Sequence, residues 1–271
     1  MSGWMCLMAS IRASVLVVAT LWTSVGNRLP YLGRRAVEEA ARHHLDTYAW
    51  QLAWSMANHL HSRGLWREKE AVHRSAMTAA LRLDDPVARA YAHRGLSTAL
   101  TGLGDLGPAR EHAELAVGLF NALSNEAVRA EGYRRLGETA AYCGDLDAAL
   151  DAARQALELL RVATARNGSA PRDRAATASA LNSVGWQLAQ LGRHEEGLAH
   201  CEEALTLCEG LENHNNRAEI WDSIGYALHH LGRFDEAVDA SGTRLETARN
   251  WKPMSNLFRL PGASTRQRSR V

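Results

Sequence analysis

Five glycines, Gly64, Gly104, Gly144, Gly192 and Gly232, recur along the chain at separations of 40, 40, 48 and 40 residues. Each closes one apolar run and precedes another, and self-similarity at such a period restricts the chain to an array of repeated supersecondary units. Seven positions before each glycine stands a small residue, namely Ala57, Ser97, Gly137, Gly185 or Gly225. Two positions after each comes Trp66, Leu106, Leu146, His194 or Phe234. Twelve positions after come Ala76, Ala116, Ala156 and Ala204, with Arg244 breaking the series.

Between these marks the apolar residues recur at steps of three and four, which predicts paired antiparallel helices. In the fourth unit Leu181, Val184, Gly185 and Leu188 line one helix face, and Leu198, Cys201, Ala204, Leu205 and Cys208 line the next. The glycine between them supplies the left-handed backbone that ends a helix and turns the chain. Asp147, Glu195 and Asp235 place negative charge in the following first turn, where the helix dipole favours it. A glycine inside a helix costs about 1 kcal/mol relative to Ala, so Gly137, Gly185 and Gly225 at one phase mark close helix crossings. Pro86 and Pro108 sit at or near helix starts, and the other four prolines fall in expected loops or tails.

These residues resemble the tetratricopeptide repeat family. The third unit carries Tyr133, Leu136-Gly137, Ala140, Gly144, Leu146, Ala149, Ala153 and Ala156, and the fifth carries Trp221, Ile224-Gly225, Leu228, Gly232, Phe234 and Ala237. The first has Ala53, Met56-Ala57, Leu60, Gly64, Trp66 and Ala76, but Lys69 at the usual small position. The resemblance covers residues 46–250 and implies an all-α, right-handed superhelical solenoid of about five antiparallel helix pairs. Leu181-Asn182-Ser183-Val184-Gly185-Trp186, Trp221-Asp222-Ser223-Ile224-Gly225-Tyr226 and Asp46-Thr47-Tyr48-Ala49-Trp50 are similar to the C-terminal arrays of actinobacterial transcriptional regulators of the Streptomyces antibiotic-regulatory, NB-ARC type. That narrower resemblance implies the sensor part of such a regulator, without its DNA-binding or nucleotide-switch domains.

The chain divides into a non-repeat segment over 1–30, the array over 31–250 and a basic tail over 251–271. Residues 31–45 read as a further helix capping the array. The eight extra residues between units three and four are expected within Arg161 to Arg174, as a turn-rich loop containing Asn167-Gly168-Ser169-Ala170-Pro171. The final unit departs from the pattern at Ser241-Gly242-Thr243-Arg244, where its second helix is expected to fray. The tail carries Lys252 and four arginines with no acid, so it reads as a solvated end.

Composition removes several functions. The 31 basic and 30 acidic side chains leave net +1, which points to neither a nucleic-acid nor a membrane partner. Only Lys69 and Lys252 are lysines, in Glu-Lys-Glu and Trp-Lys-Pro, so there is no P-loop. Four cysteines with no CxxC pair argue against a disulfide framework or zinc ribbon. The twelve histidines include adjacent or next-neighbour pairs, His43-His44, His59 and His61, and His229-His230, whose side chains diverge on a helix, so no metal is expected. No GxSxG, HExxH or paired catalytic carboxylates are present, and neither enzymatic activity, a cofactor nor a small-molecule substrate is expected.

What remains is a cytoplasmic binding module holding a protein or peptide in a concave groove. In stacked helix pairs the first helix of each pair faces the concave side. Groove phases give Trp54 and Asn58, Arg94 and Thr98, Arg134 and Glu138, Asn182 and Trp186, and Asp222 and Tyr226, with Tyr91 and His229 extending the same surface; all of these but Thr98 and His229 are the candidate partner-binding residues. Trp54 and Trp186 lead this set, because aromatics bury much area and still offer a hydrogen bond. Either tryptophan can equally seal a seam between units. The alternative is a membrane-associated or secreted repeat protein, which requires residues 13–27 to insert. Against it, the uncharged stretch between Arg12 and Arg28 has 15 residues, where a span needs roughly 20.

Overall fold

The computed structural model describes residues 29–167, 170–211 and 214–249. Its described residues form helices α1 (Leu29–Arg42), α2 (Asp46–Ser62), α3 (Trp66–Leu83), α4 (Pro86–Leu103), α5 (Leu106–Asn121), α6 (Glu126–Tyr142), α7 (Leu146–Asn167), α8 (Pro171–Gln190), α9 (His194–Leu207), α10 (His214–His230) and α11 (Phe234–Arg249), with no strand among them. Five antiparallel pairs run from α2/α3 to α10/α11, and α1 packs on α2 and α3 in front of them.

The punctuation has its expected backbone. Gly64, Gly104, Gly144, Gly192 and Gly232 all adopt φ between 64° and 85°, a left-handed conformation that only glycine enters at little cost. Asp85 caps α4 by accepting from the amides of Val87 and Ala88 at 2.8 and 3.4 Å, and Asn125 caps α6 by accepting from the Val128 amide at 3.1 Å. These local devices fix where helices start and stop. Packing does the rest.

Each first helix touches the second helix of its pair and also the first helices before and after it, so α2, α4, α6, α8 and α10 form one continuous inner layer. Alanines at the pair interfaces, including Ala53, Ala76, Ala116, Ala149, Ala156 and Ala204, are fully or nearly fully buried and hold the axes close together. Phe120, Leu60, Leu181, Leu188 and Ile220 fill the remaining volume, each contributing about 2–3 kcal/mol of burial. The result is the all-helical solenoid that the repeats required.

Three sequence expectations need correction. The eight extra residues go largely into helix rather than loop: α7 has 22 residues against 16 in α5, because Leu160 and Ala163 continue its buried stripe. Arg166 then pairs with Glu126 from that added length. Pro171 is the first residue of α8 and Pro30 the second of α1, so neither lies in a loop. No fraying occurs at Ser241-Gly242-Thr243-Arg244, since α11 continues to Arg249. With no later described pair to cover that position, Arg244 reaches across to Asp222 at 2.8 Å.

The apolar run from Ala13 to Trp22, almost all of the 1–30 segment and the 251–271 tail lie outside the described residues. No described helix is long and apolar enough to cross a membrane.

Candidate protein-binding groove

The inner layer carries a ladder of charge. Glu131, Arg134, Arg135 and Glu138 fall three and four residues apart on α6, spacings that place side chains together on a helix. Arg94 on α4 donates to Glu131 at 2.9 Å, and Arg134 donates to the same carboxylate at 2.7 Å. Arg134 and Arg135 both donate to Glu138. Burial works to raise the Glu131 carboxyl, but Arg134 and Arg94 overcome it and hold the group at about 2. Arg135 is lowered instead, because its desolvation outweighs the help of Glu138. The ladder ties α4 to α6 and gives the groove a polar wall.

Two cavities open on either side of this wall. One, of about 640 Å³, lies between α2, α3, α4 and α6, with Asn58, Lys69, Thr98 and Arg135 on its lining and Glu219 of α10 closing one side. The other, of about 410 Å³, has a floor of Gly137, Ala149, Ala153 and Ala156 and a rim of Asn182, Ser183, Trp186 and Gln187. Arg134, Glu138 and Tyr142 belong to both linings. An alanine floor with an indole beside it accepts a bulky apolar side chain. The surrounding amides can bond to a backbone. Gln187 is buried, and its side-chain oxygen has no hydrogen-bond partner among the described residues.

The structure divides the ten sequence candidates. Asn58, Arg134, Glu138, Asn182 and Trp186 line one cavity or the other. The remaining five line neither. Tyr91 stacks on Trp50 with centroids 6.2 Å apart, meets Trp54 edge-on at the same separation, touches Phe120 at 5.3 Å and carries the Arg94 guanidinium at 5.0 Å. Trp54 and Tyr91 therefore seal the seam between the first two pairs. Arg94 is committed to Glu131, Asp222 to Arg244, and Tyr226 to a cluster with Trp186 and His230 at 5.0 and 4.4 Å. Trp186 thus rests on Tyr226 on one side and borders the second cavity on the other. Thr98, at its groove phase, lines the larger cavity, while His229, which extends the surface, packs edge-on against Phe234.

Sequence phases overlooked Lys69, Arg135 and Gln187. Lys69 lies five residues after its turn glycine, where the other units carry Ala109, Ala149, Gly197 and Ala237, so the break in the series was its signal. Gln187 had none, because it stands beside Trp186 at a phase to which the repeat pattern assigns no role.

Reactive groups outside the groove offer little chemistry. Burial pushes the Cys201 thiol up to about 12, which keeps it protonated. His93 and His112 meet through their Nδ1 atoms at 2.8 Å, and burial, then the neighbouring His112, hold His93 down to about 4. No group of three or more potential metal ligands occurs among the described residues.

Residues 176–250 match the tetratricopeptide repeat family model. No curated protein matches the sequence. Among solved structures, BtubC (BKLC) from P. vanneervenii aligns at 19% identity over 83% of this chain and 92% of that one, with a TM-score of 0.64. The kinesin light chain TPR-like repeats of Podosopora anserina align at 16% identity over 79% and 93%, with a TM-score of 0.53. At these identities the likeness establishes a shared fold, that of a tetratricopeptide-type solenoid.

Proposed function

We propose that this tetratricopeptide-type array is a non-catalytic, cytoplasmic interaction module that holds a segment of a protein partner along its concave groove. The observation that carries this reading is the cavity beside Trp186, where an alanine floor adjoins the unpartnered oxygen of Gln187. An apolar side chain fits the floor, and the polar side chains of Asn182 and Ser183 on the rim can bond to the backbone of the same segment.

The likeness of the repeat wording to arrays of antibiotic-regulatory proteins supports a finer proposal. In that setting the segment belongs to a transcriptional switch, which the array senses or restrains. This part rests on the sequence resemblance alone.

Affinity capture with full-length protein and with Trp186→Ala tests the groove. The variant is expected to recover partners at about tenfold lower yield, in line with loss of a central aromatic contact, while retaining its helical content. Equal recovery of the same partners by both proteins places binding elsewhere.

A further inference from the structure

Lys69 is 4% exposed, borders the larger cavity, and makes no hydrogen bond or ion pair with another described residue. A buried ammonium without a partner is costly, and loss of its proton removes that cost. The same lining carries Arg134 and Arg135 but only two carboxylates, Glu138 and Glu219. Both oxygens of Glu138 are engaged by the two arginines, yet Arg135 keeps its Nε buried and unpartnered. An amine with no partner and a guanidinium N–H with no acceptor thus border one space of about 640 Å³.

We propose that Lys69 is a covalent modification site for dissolved carbon dioxide, which its amine captures as a carbamate stabilised by Arg135. The amine lone pair forms a bond to the carbon of CO2, one C=O π bond opens onto oxygen, and the nitrogen releases a proton to solvent. The balance is R–NH2 + CO2 → R–NH–COO⁻ + H⁺, with no oxidant and no leaving group. Charge favours this electrophile over an aldehyde: an imine carries no negative charge and leaves the surplus of cations in place. A carbamate supplies the missing anion and gives the Arg135 Nε–H an acceptor. Carbon dioxide itself is small and uncharged, so it enters a nearly closed site without losing a tightly held hydration shell.

Only the neutral amine reacts. Burial, then Arg135 and Arg94, push the Lys69 ammonium down to about 7, with only Glu138 opposing them. His61 from α2, His73 from the same helix, Arg134 and Glu219 complete the titratable and charged surroundings. About half of this amine is neutral at pH 7, against roughly one part in 3,000 for a lysine at the ordinary 10.5. At constant dissolved carbon dioxide the adduct grows with pH, because both the ammonium and the reaction give up a proton. Arginine keeps its proton and has no such chemistry. Basic positions in the chain are arginine in all but two of 31 cases, and Lys69 is one of the exceptions.

The chain's two lysines make the test direct, with Lys252 as the internal control. Full-length protein is equilibrated with isotopically labelled bicarbonate at neutral pH, and the carbamate carbon is followed by NMR. In parallel, a trialkyloxonium salt esterifies the adduct, and peptide mass spectrometry places it. The ester is expected on the Lys69 peptide at least about tenfold more abundantly than on the Lys252 peptide, following their neutral fractions. The NMR signal should grow as the pH is raised and should disappear in Lys69→Met, leaving only the weaker signal of the α-amino terminus. Arg135→Gln with unchanged helical content should lower the Lys69 adduct by about tenfold, through loss of its charged donor. Labelling confined to the terminus, or equal on the two lysines, overturns the proposal, and so does an undiminished adduct in Arg135→Gln. Mapping on the unaltered chain decides the matter even where a variant fails to fold. Carbamate formation needs no partner in the groove, so its outcome is independent of capture by Trp186→Ala.

Discussion

Gly185 and Gly197 face each other across the crossing of α8 and α9 so closely that a Cβ on either would lie 2.7 Å from the carbonyl oxygen of the other. Backbone is the obstacle on both sides, so no side-chain rotation relieves it. Gly185→Ala should therefore destabilise the array by about 2–4 kcal/mol. The paired control is Gly225→Ala, where the added atom meets nothing nearer than 3.7 Å. There, improved helix propensity should leave stability unchanged or raise it by up to about 1 kcal/mol. Thermal melts of the two variants that shift equally would reject this account of the crossings.

His73 is buried against Gly95, and neither of its ring nitrogens has a hydrogen-bond partner. Burial, then the charges of Lys69 and Arg94, hold its pKa at about 3, below the ordinary 6.5. As pH falls through 6.5 the unfolded chain takes up this proton and the folded chain does not, so stability declines until about pH 3. The slope from this one group approaches about 1.4 kcal/mol per pH unit. His73→Leu should flatten that part of the acid unfolding profile, measured by urea midpoint against pH. An unchanged slope would place the acid sensitivity in other groups.

Lys69 acts in the alkaline range by the same logic. Its folded-state value of about 7 lies below the ordinary 10.5, so the cost of burying its charge is fully present below pH 7 and fades as pH rises toward 10.5. Stability of the unliganded protein should rise with pH across this window. Lys69→Met, which keeps the aliphatic stem, should be more stable than wild type at pH 7 and should lose the rise. Parallel pH profiles for the two proteins would contradict the burial of this ammonium.

The fold was legible because its punctuation is local. The left-handed turn at Gly64 or Gly144 requires only that one residue lack a Cβ, and the small residues at Gly137 and Gly185 report contacts within a single pair. Helix length between units was less legible: periodicity runs on through Leu160 and Ala163, yet Asn167-Gly168-Ser169 drew the boundary earlier. At the groove, phase identified which positions face inward but not what their side chains do there. Arg134 and Glu138 bind each other, and Tyr91 is held between Trp50, Trp54 and Phe120. Such pairings depend on which helix comes next in space, a relation that spacing within one unit does not encode. Lys69 was visible as an exception to the repeat, but only the packed structure gives that exception a cavity.

The groove assignment meets its most direct test in site-specific photocrosslinking of the intact chain to captured protein. A photoreactive residue at Ser183, on the rim of the cavity beside Trp186, is compared with one at Leu115, which is exposed on the second helix α5. The account predicts adducts from position 183, reduced when Trp186 is changed to Ala, and none above background from position 115. Adducts from position 115 alone, or equally from both positions, would contradict it.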